Sequence, residues 1–275
     1  MLELKGLEKT YLKHTVNEHR ALRGIDLQIA DGEFITVIGS NGAGKSTLFN
    51  AVAGTFFCER GRIVLDGRDI TYVREHRRAR QISRIFQDPM KGSAPGLTIA
   101  ENIALAYARG ENHLFSFALS RRKLELFRDC LAQLNMDLEN RMNTRMGLLS
   151  GGQRQAVTLL MATIHTPRLL LLDEHTAALD PLTAERVLEM TRSIVAERNI
   201  TTLMITHNIN AALSTGSRTL MMEQGQIILD LEGGTRDAMS VPDLLAVYRE
   251  KCGKALDNDR MLLDNEQNMD VHGSE

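Results

Sequence analysis

The stretch Gly39-Ser-Asn-Gly-Ala-Gly-Lys-Ser-Thr47 decides the fold of this 275-residue chain. It matches the pattern G-x-x-x-x-G-K-[ST] and stands between a strand-like apolar segment and a helix-like segment that begins near Lys45. Glycines let the backbone aim N–H groups at phosphate oxygens, and the helix adds its positive N-terminal end. We therefore expect a phosphate-binding loop in which Lys45 reaches the β- and γ-phosphates of a nucleotide and the Ser46 hydroxyl binds Mg²⁺. The Lys45 contact forms only with the nucleotide, so we expect that replacing Lys45 with Ala barely changes stability without ATP.

A second motif, Leu169-Leu-Leu-Leu-Asp173-Glu174, ends a short run that is apolar on both faces, as a central parallel strand is. Ligands bind open α/β sheets where such strands end, so we expect Asp173 to hold the metal there. Glu174 points elsewhere, and we assign it to polarising the attacking water. The alternative is that these two strand-end carboxylates only cap a helix. The presence of a phosphate loop in the same chain favours the metal-binding interpretation.

The rest of the chain alternates strand-like and helix-like patterns, which indicates an α/β core. Asp31-Gly32 predicts a hairpin between strand-like residues 24–30 and 34–38. In the middle third, Leu124, Phe127, Leu131 and Leu134 share one face of a predicted amphipathic helix. Further strands are expected at residues 62–65, 203–205, 218–223 and 226–231, the last two as a hairpin.

Composition excludes several classes of protein. The chain has 33 Lys and Arg against 35 Asp and Glu, a net charge of −2, which argues against a strongly basic nucleic-acid binder. The five arginines between Arg74 and Arg84 lack interleaved aromatic residues, and we interpret them as a solvated helix face. No apolar stretch approaches the roughly 18 residues of a membrane helix, so we expect a partner to bring the chain to any membrane.

A third motif, Leu149-Ser-Gly-Gly-Gln153, lies between the first two. Ser150-Gly151-Gly152 at the start of a helix makes a second anion-binding terminus. With this motif the chain resembles the ATP-binding subunit of ABC transporters up to about residue 250. The resemblance implies that two ATP molecules are sandwiched in a head-to-tail homodimer, each γ-phosphate meeting the third motif of the opposite subunit. It also implies a P-loop NTPase-type α/β core with a mainly parallel sheet, an N-terminal antiparallel β subdomain and an inserted α-helical subdomain.

The resemblance assigns roles to smaller motifs as well. Gln87, in Ile-Phe-Gln-Asp-Pro, senses metal and water and links to the transmembrane subunit, while His207 hydrogen-bonds the γ-phosphate as a switch. Tyr11 stacks on adenine, and Asp180 lies in the loop that touches the other subunit's site. The implied catalytic set is Glu174, His207 and Gln87, and the metal set is Ser46, Gln87 and Asp173. The implied nucleotide contacts are Tyr11, Gly39, Asn41, Gly42, Gly44, Lys45, Ser46, Thr47, Ser150, Gly151, Gly152, Gln153 and Asp180.

Two departures from the family pattern stand out. His175 follows Glu174 where the family commonly has proline, and we favour a neutral structural role for it. The segment from Gln87 to Glu101 is longer than usual. Because that segment contacts the membrane partner in the family, we expect a coupling surface peculiar to a subfamily.

These motifs lead to an ATPase subunit, using ATP and Mg²⁺, at the cytoplasmic face of the inner membrane. We expect it to energise import of a small solute through separate transmembrane permease subunits, with a solute-binding protein as an indirect partner. An amino-acid-like solute is only a guess. An exporter subunit and a soluble ATPase of the iron–sulfur assembly type are the alternatives, and the latter family departs from the Gly-Gly-Gln-Arg-Gln sequence at 151–155.

The expected domain organisation is one ABC ATPase domain over residues 1–253, with the helical subdomain inserted at about 88–165. Residues 254–275 carry six acidic residues against Lys254 and Arg260. We expect this stretch to be a flexible acidic tail.

Overall fold

The computed structural model describes residues 1–88, 90–109 and 120–253, so the expected tail at 254–275 lies outside the described residues. Its strands are β1 (Leu2–Tyr11), β2 (His19–Ile29), β3 (Phe34–Gly39), β4 (Arg60–Leu65), β5 (Arg68–Asp69), β6 (Ile82–Ile85), β7 (Leu169–Asp173), β8 (Thr201–Ile205), β9 (Arg218–Glu223) and β10 (Gln226–Glu232). Its helices are α1 (Lys45–Ala53), α2 (Glu75–Arg78), α3 (Ile99–Ala108), α4 (Arg121–Ala132), α5 (Gly151–Thr163), α6 (Pro181–Glu197), α7 (Ile209–Ser214), α8 (Gly233–Asp237) and α9 (Val241–Cys252), with a 3₁₀ turn at Met146–Leu148.

The main sheet has the strand order β10-β9-β3-β8-β7-β6 and is parallel except for the β9–β10 hairpin. β7 lies inside it, and its four leucines are fully buried. Leu169 and Leu171 pack on one face with Phe49 of α1, whereas Leu170 and Leu172 face α5 and α6. Alternate side chains of a strand point to opposite faces, so an all-leucine strand suits a sheet covered on both sides. The mainly parallel core is confirmed.

A second, antiparallel sheet has the order β2-β1-β4-β5, as expected for the N-terminal subdomain. The predicted hairpin at Asp31-Gly32 is wrong, because β2 pairs with β1 while β3 enters the parallel sheet. After the turn, the Gly32 N–H donates to Thr201 Oγ1 at 3.0 Å, and the Glu33 carbonyl accepts from the Thr202 N–H at 2.9 Å. Every residue of β3 is buried, so this strand fits only a position inside the covered sheet.

Helices α3, α4 and α5 form a separate apolar cluster beside the sheet. Phe127 and Leu131 of α4 are fully buried in it, which confirms the amphipathic helix. Residue 89 and residues 110–119 lie outside the described ranges, so the limits of the helical subdomain stay a prediction. No helix in the described part of the chain has the length and apolar character that a membrane span requires.

The interpretation of the arginine stretch as a solvated helix face is wrong for two of its members. Helix α2 spans only Glu75–Arg78, and the Arg78 side chain is 2% exposed. Its guanidinium donates to carbonyl oxygens at 2.8–2.9 Å, namely those of Ala51, Val52, Thr71 and Val73. The last carbonyls of α1 need donors from outside their own helix, and Arg78 supplies them. Arg84 lies in β6 and forms an ion pair with Asp173.

Replacing Arg78 with Met should lower the free energy of unfolding by about 2–4 kcal/mol, because buried carbonyl oxygens lose their donor. Urea unfolding measures the change. The matched control is Arg77→Met, because Arg77 is exposed in the same short helix and its loss should change stability by no more than about 0.5 kcal/mol. Equal stability of the two variants would contradict the inference that the hydrogen bonds of Arg78 to buried carbonyl oxygens stabilise the fold.

Candidate nucleotide-binding site

The motif at residues 39–47 runs from the last residue of β3 through a loop at 40–44 into the first turn of α1. Two of its glycines have positive φ where a side chain has no room. A Cβ on Gly39 would lie 2.0 Å from the Met222 carbonyl oxygen, and a Cβ on Gly44 would lie 2.5 Å from that of Ala21. Glycine is therefore required at these turns by close backbone packing as well as by dihedral angle.

The Lys45 amine differs from the sequence-based expectation. The side chain is 6% exposed, and Nζ donates to the carbonyl oxygens of Gly39 at 2.6 Å and Ser40 at 2.9 Å. Replacing Lys45 would therefore remove two hydrogen bonds from the nucleotide-free protein, contrary to the expectation that its stability without ATP barely changes. A buried ammonium needs acceptors at all times, and the loop carbonyls supply them.

Three of the expected site residues meet at the carboxyl edge of the main sheet. Gln87 follows β6, Glu174 follows β7 and His207 follows β8, and these strands are neighbours. The Glu174 carboxylate contacts His207 Nε2 at 2.5 Å and accepts a hydrogen bond from Gln87 Nε2 at 3.0 Å. Glu174 has φ of 48°, which is uncommon for a residue with a side chain, and its N–H donates to the Ile205 carbonyl at 3.0 Å. This backbone conformation turns the Glu174 side chain between its two partners.

Asp173 lies one residue earlier, still within β7, and is 9% exposed. Its Oδ2 accepts from Arg84 Nη2 at 2.7 Å, while Arg84 Nη1 donates to Asn50 Oδ1 on α1 at 2.5 Å. Sequence reasoning missed Arg84 because it stands at the end of a charged stretch. Its place in the otherwise uncharged strand ISRI, three residues before Gln87, is the signal that could have found it.

A cleft of about 200 Å³ brings the loop and the sheet edge together. Its walls include Lys45, Ser46, Glu174 and His207. Tyr11, at the end of β1, also lines it and is 37% exposed. The rings of Tyr11 and Phe56 form a T-shaped pair with their centroids 5.9 Å apart. The other lining residues are His19, Ala21, Asn41, Gly42, Ala43, Gly44 and Thr47. Sequence motifs far apart in the chain thus form one site.

The third motif begins helix α5 away from this cleft. Ser150 is the N-cap, and its hydroxyl accepts from the Gln153 N–H at 3.3 Å, while Gln153 Oε1 accepts from the Ser150 N–H at the same distance. A Cβ on Gly152 would lie 2.2 Å from Cγ2 of Thr183. Asp180 caps α6 by accepting from the Thr183 N–H at 3.0 Å. Hydrogen bonding with the Thr183 side chain and then with its backbone lowers the pKa of Asp180. These residues do not line the cleft of their own chain.

His175, the residue after Glu174, is buried and 3% exposed. Its Nε2 lies 3.2 Å from Thr191 Oγ1, and that hydroxyl donates its proton to the Val187 carbonyl at 2.7 Å. The hydrogen between His175 and Thr191 must therefore come from His175 Nε2. Burial lowers the pKa of His175 to about 4, so the ring is neutral at physiological pH. Its geometry matches the neutral structural role that the sequence favoured.

The segment between Gln87 and Glu101 is organised by a residue that sequence reasoning did not single out. Asn102, 1% exposed on α3, accepts from the Ala94 N–H at 2.8 Å and donates to the carbonyls of Ala94, Leu97 and Thr98. The segment also contacts the residues just before the third motif, because the Pro95 carbonyl accepts a hydrogen bond from the Gly147 N–H at 2.9 Å.

Comparisons with known proteins show which family the chain resembles. The sequence profile described as ABC transporter matches residues 22–177. The chain is 40% identical to a tyrosine transport ATP-binding protein of Clostridioides difficile, covering 90% of this chain and 98% of the relative. It is 34% identical to an aliphatic sulfonates import ATP-binding protein of Agrobacterium fabrum, covering 84% and 79%.

Among solved structures, the fold is similar to a dimeric ATP-binding cassette in a post-hydrolysis state with ADP and Pi bound. The TM-score is 0.72 at 28% identity, and the match covers 84% of this chain and 98% of the other. Motifs, fold and relatives agree, and the chain therefore belongs to the ABC transporter family as an ATP-binding, ATP-hydrolysing subunit.

Proposed function

We propose that this subunit powers the import of a small, amino-acid-like solute through separate transmembrane permease subunits. It would act at the cytoplasmic face of the membrane, with a solute-binding protein as an indirect partner. Support comes from the relatives, one described as a tyrosine transport protein and another as a sulfonate import protein. The match covers 98% of the tyrosine transport relative and 90% of this chain.

The observation that carries the proposed chemistry is the shared cleft of Lys45, Glu174 and His207. We infer that the triphosphate lies along residues 39–47, with its β- and γ-phosphates at the N-terminus of α1. Backbone N–H groups and the helix end attract the anion, and Lys45 exchanges loop carbonyls for phosphate oxygens. Tyr11, which lines the cleft, would offer its ring face to adenine.

The donors for Mg²⁺ are the Ser46 hydroxyl, the Asp173 carboxylate and the Gln87 side-chain amide. All three offer hard oxygen atoms, the type of ligand that Mg²⁺ prefers, and Ser46 is exposed at the cleft. Bound Mg²⁺ would neutralise charge on the β- and γ-phosphate oxygens. Arg84 holds the Asp173 carboxylate in place through its ion pair.

Hydrolysis requires a water molecule in line with the γ-phosphate. Glu174 is the general base in this proposal, because its carboxylate reaches the cleft and accepts hydrogen bonds at the sheet edge. His207 would leave Glu174 to hydrogen-bond the γ-phosphate, and Gln87 would turn its amide toward metal and water. The His207–Glu174 contact is therefore proposed as the resting arrangement of the switch.

The other half of the phosphate site comes from a second copy of the chain. Ser150 and Gly151 are exposed at the N-terminus of α5, and their own cleft does not use them. We infer that this terminus, with Gly152 and Gln153, faces the γ-phosphate held by the partner in a head-to-tail dimer. Asp180 begins the adjacent helix and would approach the partner's site with it.

The direction and cargo are tested by transport. Candidate permease subunits and a candidate solute-binding protein are reconstituted with this chain in proteoliposomes that enclose ATP and Mg²⁺. Labelled amino acids supplied outside should accumulate inside, and vesicles made with Lys45→Ala should accumulate none. ATP-driven loss of preloaded solute would instead establish export and overturn the proposed direction.

Replacing Lys45 with Ala should reduce ATP hydrolysis by at least about 10²-fold, because the positive contact to the β- and γ-phosphates is lost. Thermal melting without nucleotide should show that the free energy of unfolding falls by about 1 kcal/mol, because the hydrogen bonds to Gly39 and Ser40 disappear. Lys5→Ala is the matched control, since Lys5 makes only an exposed ion pair with Glu3, and it should hydrolyse ATP normally. Normal turnover by a folded Lys45→Ala protein would refute the phosphate site.

Replacing Glu174 with Gln keeps the shape but removes the charge that polarises water, so hydrolysis should slow by about 10²-fold or more. Unhydrolysed ATP should then hold two chains together, and the variant should elute as a dimer with ATP and as a monomer without it. Adding Ser150→Arg should restore the monomer by blocking the phosphate from across the interface.

The matched control for this experiment is Glu189→Gln on the exposed side of α6, which should hydrolyse ATP at the normal rate. Fast hydrolysis by the Glu174→Gln protein would place the base elsewhere, with His207 the first candidate.

A further inference from the structure

The phosphate loop packs against the turn of the β9–β10 hairpin. Gly39 passes so close to Met222 that a Cβ would lie 2.0 Å from the Met222 carbonyl oxygen. Farther along the loop, the Ala43 carbonyl accepts from the Gly225 N–H at 2.9 Å. The hairpin therefore touches the loop near both of its ends.

Between these two contacts, the hairpin offers a buried carboxylate. Glu223 is 6% exposed, and its Oε2 accepts hydrogen bonds from Ser40 Oγ in the loop and from the Tyr248 hydroxyl, the latter at 2.9 Å. Tyr248 belongs to α9 and is fully buried. A carboxylate out of water needs such donors, so the three side chains depend on one another.

Helix α9 is held in this position by its apolar face. Leu244 and Tyr248 pack in one cluster with Ile38 of β3, Met221 of β9 and Leu231 of β10. Burial, followed by the neighbouring Glu223 carboxylate, raises the pKa of Tyr248, so its hydroxyl keeps its proton and remains a donor. The rigid packing of the helix thus fixes where that donor stands.

We propose that Tyr248 is a positioning residue for nucleotide binding, which acts through Glu223 and Ser40 on the phosphate loop. Ser40 connects directly to the phosphate-binding group, because its carbonyl accepts from Lys45 Nζ at 2.9 Å. A glycine-rich loop has many conformations, and a loop already held in the binding one loses less entropy when the phosphates arrive. Docking of α9 therefore sets part of the nucleotide affinity. The inference rests on the proposed phosphate-binding role of residues 39–47.

Tyr248→Phe keeps the ring and its packing but removes the hydroxyl. Its dissociation constant for a fluorescent ADP analogue should rise about 3- to 10-fold, the size expected for the loss of one ordinary hydrogen bond. The turnover number at saturating ATP should stay unchanged, because the hydroxyl contacts no reacting atom. Tyr72→Phe is the matched control, since Tyr72 is an exposed tyrosine 73% accessible to solvent, and its affinity should match that of the unmodified chain.

A double-mutant cycle with Ser40→Ala separates positioning from general loosening. Ser40→Ala alone should weaken ADP binding to a similar degree, and adding Tyr248→Phe should then cause no further loss. Unchanged affinity in Tyr248→Phe, or an equal loss with and without Ser40, would overturn the proposal. If Tyr248→Phe does not fold, Ser40→Ala carries the test, because it leaves α9 intact and unchanged affinity there overturns the proposal.

Lys45→Ala, measured with the same analogue, tells the two assignments apart. Weak binding by Lys45→Ala together with normal binding by Tyr248→Phe refutes only the positioning role. Normal binding by Lys45→Ala refutes the phosphate loop itself.

Discussion

The parallel hydrogen bonding of β7 to its neighbours β6 and β8 is the constraint on which the site depends. Parallel strands end at the same edge, so the residues that follow them are delivered to one place. Gln87, Glu174 and His207 each follow one of these three strands, and their side chains touch. The covered, all-leucine β7 makes this alignment stable, because an apolar strand buried on both faces has no alternative position that keeps it out of water.

The charged side chains of the site have partners before any nucleotide binds. Asp173 is paired with Arg84, Glu174 contacts His207, and Lys45 is hydrogen-bonded to loop carbonyls. Isolated buried charges are costly, so each group is held by a partner that the nucleotide complex can replace or retain. Binding of a nucleotide is then an exchange of partners, in which the cost of burying these charges has already been met by folding.

A second set of residues stands behind the site and holds its parts in register. Arg78 links the end of α1 to the segment before α2, and His175 links the end of β7 to α6. Glu223 links the phosphate loop to α9. In each case a buried polar side chain satisfies groups that the fold would otherwise leave without partners. The glycines of the phosphate loop allow its curved backbone, and the hydrogen bond between Ser40 and Glu223 restricts that backbone.

The sequence by itself determined the local features: the loop at 39–47, the apolar strand before Asp173, the amphipathic α4 and the residue types of the site. Each depends on neighbours within a few positions, which a pattern records. Tertiary structure alone decided that the chain after Asp31-Gly32 enters another sheet as β3. It also decided that Arg78 is buried, that Arg84 pairs with Asp173 and that Ser40 has a partner in β9 without a nucleotide. The partners in these cases are up to 183 residues away in the chain, and which distant group arrives is set by how the sheets and helices pack, for which no local pattern carries a signal.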